Sequence, residues 1–352
     1  MNPKPITVVI VDDDALVRKV VAGDLRRHPD IKVVGAAADP YAARDLILEV
    51  QPDVVTLDLS MPRMDGLTFL KILMKHRPMP VIIMSSYTEA NSVLALEALE
   101  AGAVSVISKG EMTGAVLVEA IRAAAQSRVV LPALAPATTP QAHAPRAAES
   151  RNGHSLPERE IILLGASTGG TEALKTVLTS LGDDLPGICI VQHIPARFST
   201  AFANRLNQLC AFEVREAQDG DLIERGLALV APGGYHLTLK WNGNRYLAAL
   251  GQGPKVHHQR PAVDLLFQSA VRCGAAPYAT AALLTGMGAD GAAGLLQLRQ
   301  DGARTIAQDE ATCVVFGMPR EAIRLDAAQH ILPLRKIAPL LARPVLAAAA
   351  RL

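Results

Sequence analysis

A glycine-rich turn between an apolar run and a helical pattern constrains the fold of this chain more than any other feature. The segment GASTGG (165–170) directly follows the apolar run 161–164 and opens a stretch with apolar residues at helical spacing. A buried strand, a serine between glycines and a helix form the layout of a nucleophile elbow, which holds a serine hydroxyl at the end of a sheet. A phosphate-binding glycine turn or a plain tight loop gives the same pattern, so both interpretations stay open.

The composition indicates a soluble protein of two domains. The 352 residues suffice for two ordinary domains, and the net charge of +1 favours neither nucleic acid nor an anionic membrane as a partner. The four cysteines are scattered without a C-x-x-C pair, which indicates a reduced, cytoplasmic setting without a zinc site or a disulfide framework. No stretch has the length and apolarity of a signal peptide or a spanning helix, so we expect no membrane insertion. We also expect a monomer.

A proline-rich segment divides the chain. From about residue 126 to residue 158 the helical periodicity fails, and prolines stand among small and polar residues. Such a composition buries too little apolar surface to offset the entropy lost on ordering, and proline favours extended conformers. We therefore predict an N-terminal domain at 1–126, a linker at 127–158 and a C-terminal domain at 159–348.

Strands alternate with helices in the predicted N-terminal domain. The apolar runs 6–11, 33–34, 54–59, 81–84 and 104–107 are each followed by a helical pattern. Five such units predict an α/β fold, with a doubly wound, flavodoxin-like sheet of five parallel strands and helices on both faces. Sheets of this kind place their functional sites at the carboxyl ends of the strands.

The C-terminal part repeats this alternation less regularly. Apolar runs at 161–164, 188–191 and 279–284 are typical of buried strands, and helical patterns lie between them. Asn242-Gly243 stands between two further strand-like runs and gives a tight-turn signal for a hairpin. We predict a second α/β domain with a mostly parallel sheet, part of which is made antiparallel by this hairpin.

Acidic, hydroxyl and ammonium side chains lie at the ends of four predicted N-terminal strands. They are Asp12, Asp13 and Asp14 after the first strand, Asp58 in the third, Ser85 or Ser86 after the fourth, and Lys109 after the fifth. Carboxylates that converge on one sheet edge repel each other unless a cation is present, and Mg²⁺ fits their oxygen ligands best. A carboxylate beside Mg²⁺ and an ammonium group can accept a phosphoryl group. A solvated loop or helix cap explains Asp14 but leaves Asp58 and Lys109 unexplained.

A serine nucleophile needs a base to take its proton. His193 follows the strand-like run after the elbow, which places it at the same sheet edge as Ser167. The competing residues His236, His257 and His258 lie in turns or polar loops. We therefore predict that His193 is the base.

The base in turn needs an acid that orients it. Asp290, in the segment TGMGADG (285–291) after a buried strand, is the best candidate. The alternative for Asp290 is a structural one, since it could cap the helix that follows. Asp264 and Asp309 are weaker candidates that the pattern leaves open.

Residues 1–126 resemble the receiver domain of two-component response regulators. The matching pieces are VIVDDD, TLDLSMPRMDGL and the late strand-end lysine. The resemblance implies that Asp58 accepts the phosphoryl group, that Asp12, Asp13 and Asp58 hold Mg²⁺, and that Lys109 and Ser85 contact the phosphoryl group. The chain departs from the common receiver pattern at Val106, where an aromatic residue is usual, and at Gly110, where proline is usual.

Residues 159–345 resemble the catalytic domain of the bacterial chemotaxis protein-glutamate methylesterases. The matching motifs, in chain order, are GASTGG, VQHIPARFSTAFANRL, the DGD turn at 219–221, APGGYH, RPAVDLLF and TGMGADG. The resemblance implies a triad of Ser167, His193 and Asp290, with the backbone amides of Thr168 and Met287 as oxyanion donors.

The two resemblances together imply a phosphorylation-activated hydrolase of chemotaxis adaptation. It would remove methyl groups from glutamate γ-methyl esters of methyl-accepting chemoreceptors, deamidate specific glutamines, and need no cofactor for the hydrolysis. Its receiver would cover the active site until a chemotaxis-type histidine kinase supplies the phosphoryl group to Asp58. A DNA-binding response regulator would instead need a basic helix-turn-helix, and a catalytically silent adaptor would not need an intact triad.

Overall fold

The protein is described by a computed structural model that covers residues 4–86, 89–110, 112–128, 159–196 and 198–345. The chain divides into two compact units, Met1–Ala135 and Pro136–Leu352. Residues 129–158, which make up most of the predicted linker, lie outside the described residues. Among the described residues, every helix is too short or too polar to cross a membrane.

The N-terminal unit alternates strands and helices along its described length. The elements are β1 (Ile6–Val11), α1 (Ala15–Leu25), β2 (Ile31–Ala37), α2 (Pro40–Val50), β3 (Val54–Asp58), α3 (Gly66–His76), β4 (Val81–Ser85), α4 (Glu89–Glu100), β5 (Ser105–Ser108) and α5 (Gly114–Ala125). The five strands pair in the order β2-β1-β3-β4-β5, and every pair is parallel. The predicted doubly wound sheet of five parallel strands is confirmed.

Aspartates at the sheet edge begin three of the helices of this unit. The carboxylates of Asp14, Asp39 and Asp65 accept hydrogen bonds from the first free backbone amides of α1, α2 and α3. A capping side chain satisfies amides that have no partner within the helix. The structural interpretation of Asp14 as a helix cap is therefore correct, and this leaves Asp12 and Asp13 for another role.

The C-terminal unit is a second α/β unit, built around a larger sheet. Its elements are β6 (Ile161–Ala166), α6 (Gly170–Leu178), β7 (Gly187–Gln192), α7 (Phe198–Leu209), β8 (Glu213–Glu216), β9 (Leu227–Val230), β10 (His236–Trp241), β11 (Tyr246–Gly251), α8 (Val263–Arg272), β12 (Ala279–Leu283), α9 (Ala292–Gln300), β13 (Arg304–Gln308), α10 (Met318–Arg324), β14 (His330–Leu332) and α11 (Leu334–Leu341). Seven strands pair in the order β14-β13-β12-β6-β7-β9-β8, with every pair parallel.

The predicted hairpin is confirmed, but it stands apart from the large sheet. Strands β10 and β11 pair antiparallel as a two-stranded sheet of their own. The side chain of Asn242 closes the turn by accepting hydrogen bonds from the amides of Asn244 and Arg245. The large sheet itself therefore stays parallel, contrary to the expectation that the hairpin would make part of it antiparallel.

The central strand β6 is buried along its whole length. At Gly165 a Cβ atom would lie 2.3 Å from Cγ1 of Val263, the first residue of α8. Glycine at this position therefore allows α8 to approach the sheet closely, two residues before the serine of the GASTGG segment.

We predict that Gly165→Ala destabilises the C-terminal unit, because the added methyl group overpacks the contact with Val263. The free energy of unfolding should fall by about 1–3 kcal/mol. Urea unfolding followed by fluorescence of Trp241, the chain's one tryptophan, measures this unit. Gly251→Ala is the matched control, because a Cβ there meets nothing within 4 Å. Equal stability of the two variants would contradict the packing argument.

Candidate active site

The pairing of β6 with β7 brings the predicted nucleophile and base to one sheet edge. Ala166 and Gln192, the last residues of the two strands, are partners in the parallel register. Ser167 and His193 each follow directly, and the His193 amide donates a 3.0 Å hydrogen bond to the Ala166 carbonyl. The two candidate side chains therefore start from adjacent backbone positions.

Backbone hydrogen bonds fix the turn at Ser167. Its amide donates to the Thr285 carbonyl at 3.0 Å, and its carbonyl accepts from the Gly170 amide at 2.7 Å. Gly169 has φ +74°, and a Cβ there would lie 2.5 Å from Cβ of Val314. Glycine at this position thus meets both a conformational and a steric requirement.

The loop after β12 lies against Ser167. A Cβ at Gly286 would come within 2.6 Å of the Ser167 Cβ, so the loop backbone and the serine are in close contact. The Thr285 hydroxyl donates to the Thr168 carbonyl at 3.0 Å and ties this loop to the turn. Within the described residues, the amides of Thr168 and Met287 donate to no protein group. Two backbone amides without a protein acceptor therefore lie on the segments that flank the serine.

His193 and Asp290 form a buried pair. The His193 Nε2 atom lies 2.7 Å from the Asp290 Oδ2 atom, and the two side chains are 5% and 2% exposed. The other ring nitrogen, Nδ1, has no hydrogen-bond partner in the described part of the chain. The structure thus joins the predicted base and acid directly, whereas no hydrogen bond links the Ser167 hydroxyl to the ring.

Asp290 is also bonded to the start of a helix other than its own. Its Oδ2 accepts from the Val263 amide at 2.7 Å and its Oδ1 from the Asp264 amide at 2.9 Å, both in the first turn of α8. The following helix, α9, begins after Gly291 with no side-chain cap. The alternative interpretation, in which Asp290 caps the helix that follows it, is therefore wrong.

The surroundings of Asp290 hold its carboxylate ionised. Burial favours the protonated form, but the hydrogen bond and charge of His193 and the amides of Asp264 and Val263 outweigh it, so the pKa of Asp290 is lowered. A carboxylate that stays charged beside an imidazole can orient the ring and stabilise its protonated form.

The competing candidates have partners of their own. Asp264 is paired with His257, whose Nε2 lies 3.0 Å from the Asp264 Oδ2. Asp309 accepts from the amide and the hydroxyl of Thr312 in a short turn. His236 bonds through Nε2 to the Pro254 carbonyl at 2.9 Å.

A buried amide that the sequence analysis missed joins the two strand ends. The Gln192 side chain is 3% exposed, and its Nε2 donates to the carbonyls of Ser167 at 2.8 Å and His193 at 3.0 Å. The only available signal was a polar residue at the end of an apolar run, which is common at strand ends. Its contacts indicate that Gln192 holds the nucleophile and base segments together.

The acidic cluster forms at the carboxyl edge of the N-terminal sheet. Carboxylate oxygens of Asp12, Asp13 and Asp58 lie within 4.8 Å of one another. The Lys109 Nζ atom lies 2.8 Å from Asp12 Oδ2 and 3.0 Å from Asp58 Oδ2. The backbone of Lys109 is tied to β4, because its amide donates to the carbonyl of the buried Ser85 at 2.8 Å. The structure therefore brings together the five residues predicted for this site.

Burial and charge compete within this cluster. The pKa of Asp12 is raised because burial outweighs its bonds to Lys109. Burial also disfavours the charge of Lys109, but the two carboxylates outweigh it and raise the pKa of Lys109. One ammonium group balances only part of the negative charge of three carboxylates, and an exposed Asp13 leaves one side open to water. Oxygen donors with excess negative charge fit a hard divalent cation such as Mg²⁺.

Comparison with known proteins agrees with the two units. Residues 8–122 match the family model of the response regulator receiver domain, and residues 162–341 match that of the CheB methylesterase. The chain is similar to a protein-glutamate methylesterase/protein-glutamine glutaminase of Syntrophus aciditrophicus, with 51% identity over 97% of this chain and 99% of that protein. A similarly named protein of Pseudomonas aeruginosa is 49% identical, with 95% of each chain covered.

A solved structure supports the same assignment. The crystal structure of the Thermotoga maritima CheB methylesterase catalytic domain matches with a TM-score of 0.51 and 37% identity, over 52% of this chain and 96% of that one. The chain belongs to the CheB methylesterase family, in the form that carries an N-terminal receiver domain.

We predict that Asp290→Ala lowers the free energy of unfolding of the C-terminal unit by about 1–2 kcal/mol, because the first amides of α8 lose their capping carboxylate. Urea unfolding followed at Trp241 measures the change. Asp184→Ala is the control, because Asp184 forms an exposed ion pair with Arg225, and such pairs contribute little. A variant at position 290 as stable as the control would argue against the capping role.

Proposed function

We propose that this chain is a phosphorylation-activated hydrolase that converts glutamate γ-methyl esters of chemoreceptors to glutamate and specific glutamines to glutamate. The observation that carries the proposal is the buried His193–Asp290 pair beside Ser167, at adjacent strand ends. Relatives that align over almost the whole chain bear the name protein-glutamate methylesterase/protein-glutamine glutaminase. The function therefore has support from both the geometry and the family.

Ser167 acts as the nucleophile and His193 as the general base. Because Asp290 is ionised and accepts at Nε2, that nitrogen carries the ring proton, and Nδ1 is left with the lone pair. Among the described residues Nδ1 has no hydrogen-bond partner, so it is available to the Ser167 hydroxyl. Hydrogen bonds between a nucleophile and its base often tighten only when substrate binds.

The first half-reaction forms an acyl-enzyme. His193 Nδ1 takes the proton of Ser167 as its oxygen attacks the γ-carbonyl carbon of the substrate. The resulting oxyanion is stabilised by the amides of Thr168 and Met287, which have no protein acceptor among the described residues and lie on the segments beside the serine. The protonated His193 then gives its proton to the leaving group, so methanol departs from a methyl ester and ammonia from a glutamine amide.

The second half-reaction restores the enzyme. His193 takes a proton from water, whose oxygen attacks the acyl carbon, and the same two amides hold the new oxyanion. The bond to the Ser167 oxygen then breaks, and Ser167 recovers its proton from His193. The products are free enzyme and a glutamate γ-carboxylate, which loses its proton at neutral pH.

The acidic cluster of the N-terminal unit regulates the hydrolase through phosphorylation. Asp58 accepts a phosphoryl group from a histidine kinase, Lys109 pairs with its oxygens, and Ser85 hydrogen-bonds one of them. Mg²⁺ bound by Asp12, Asp13 and Asp58 would neutralise the charge of the transferring group. Phosphorylation of Asp58 would exchange one of the two carboxylate contacts of Lys109, the one with Asp58, for a contact with the phosphoryl group, and this change can favour a second conformation of the receiver.

The proposed function also bears on where in the cell the enzyme works. The substrates would be cytoplasmic segments of membrane receptors, so the proposal places the enzyme in the cytoplasm. We also propose that it is a monomer. The four cysteines form no disulfide with one another, which fits a reducing compartment.

We predict that Ser167→Ala abolishes hydrolysis of γ-methyl glutamate in a receptor peptide, with kcat reduced at least about 1,000-fold. Mass spectrometry of the peptide follows loss of one methylene mass from the ester and conversion of amide to acid. Ser180→Ala is the control, because the Ser180 hydroxyl only bonds the carbonyl of Thr176 on α6. Turnover that survives in the Ser167 variant would dismiss the assigned nucleophile.

We predict that Asp58→Ala abolishes activation by a small phosphodonor with Mg²⁺, because the acceptor carboxylate is gone. The assay compares ester hydrolysis with and without the phosphodonor. Asp45→Ala is the control, because Asp45 is an exposed residue of α2 paired with Arg44. If the Asp58 variant is activated as strongly as the wild type, phosphorylation of this residue does not control the enzyme.

A further inference from the structure

Helices α8 and α9 cap each other through two buried carboxylates. Neither helix has a side-chain cap at its own start, at Ala262 or Gly291. Asp290, just before α9, accepts from the first amides of α8. In return, the Asp264 Oδ1 atom, within the first turn of α8, accepts from the Gly294 amide of α9 at 2.7 Å. The two helix starts therefore satisfy one another's free amides.

Helices α8 and α9 pack tightly where Asp264 lies between them. A Cβ at Gly294 would lie 2.7 Å from the Phe267 Cβ and 3.1 Å from the Asp264 Oδ1, so the two helices approach as closely as glycine allows. The Asp264 backbone amide is itself one of the two donors that hold Asp290. Asp264 therefore bonds α9 through its side chain and Asp290 through its backbone amide.

Both carboxylate oxygens of the buried Asp264 have hydrogen-bond partners. The residue is 3% exposed, and its second oxygen, Oδ2, lies 3.0 Å from Nε2 of the exposed His257. Burial and the nearby charge of Asp290 raise the pKa of Asp264, against the bonds from Gly294 and His257. Burying a carboxyl group costs free energy, so the buried position of Asp264 indicates that its hydrogen bonds serve a specific structural purpose.

We propose that Asp264 is a positioning residue for the catalytic acid: it locks the first turn of α8 to α9, and this turn holds Asp290 at the distance and orientation that His193 needs. The inference rests on the proposed hydrolase function. It also separates the roles of two aspartates that the sequence pattern left as rivals, because Asp290 contacts the base and Asp264 acts on Asp290.

The first test is spectroscopic and does not depend on turnover. In the full-length protein labelled with ¹⁵N-histidine, the proton of the short His193–Asp290 bond should give a low-field NMR signal. Asp264→Asn keeps an oxygen for the Gly294 amide and should keep this signal at its wild-type position. Asp264→Ala removes the acceptor and should shift or abolish the signal.

The second test is kinetic, with the receptor-peptide assay. Asp264→Ala should lower kcat about 10- to 100-fold with KM changed less than about twofold, because misplacement of a catalytic group affects the chemical step. Asp264→Asn should stay within about threefold of wild type. If the alanine variant does not fold, Asp264→Ser, whose side chain is too short to reach the amide, takes its place.

A structural carboxylate of the same unit is the matched control. Asp221 accepts from Arg215 and from the Gln218 amide, away from the acid and base, so Asp221→Ala should lower stability and leave the low-field signal in place. An unchanged signal and unchanged kcat in a folded Asp264→Ala protein would overturn the proposal, as would a tenfold loss in Asp264→Asn. Absence of hydrolysis by wild type would refute the proposed function instead, and the NMR comparison would still test Asp264.

Discussion

The parallel pairing of β6 with β7 is the constraint on which the rest of the catalytic unit depends. Because Ala166 and Gln192 are partners, the residues that follow them leave the sheet side by side. A slip by one residue would turn the side chains of one strand to the opposite face and separate the serine from the histidine. The buried Gln192 amide adds to this constraint by bonding the carbonyls of both Ser167 and His193. The site is thus fixed by backbone pairing before any catalytic contact forms.

The two units stabilise buried carboxylates in different ways. Asp290 has an imidazole and two helix-start amides as partners, all supplied by the chain, and its pKa is lowered. In the N-terminal unit, Asp12 and Asp58 share one ammonium group, and the pKa of Asp12 is raised by burial. The first arrangement gives both Asp290 oxygens hydrogen-bond partners within the chain and keeps the carboxylate charged. The second has unbalanced negative charge and suits the binding of a cation and a change of chemical state.

The sequence predicted the residues at strand ends and glycine turns, but it did not indicate the edge strands or the hydrogen-bond partners of Asp264 and Gln192. Runs of buried residues located β6, β7 and β12, but the edge strands β8 (EVRE) and β14 (HIL) are short and mostly exposed or half-buried, so they give no apolar run. The sequence favoured Asp290 over Asp264 but could not exclude Asp264, since both lie at the start of a helix. Only the tertiary fold shows that one bonds His193 and the other bonds Gly294.

The contacts of the GASTGG turn also bear on the choice between a nucleophile elbow and a phosphate-binding loop. In a phosphate-binding turn the first amides of the helix point at the ligand. Here the Gly170 amide is already bonded to the Ser167 carbonyl, and a Cβ at Gly170 would lie 2.1 Å from the Gln192 Oε1. Gly169 is likewise required by its positive φ and by the contact with Val314. These glycines therefore serve a tight turn under the serine. The amides of Thr168 and Met287, which have no protein acceptor among the described residues, lie on the backbone segments next to it.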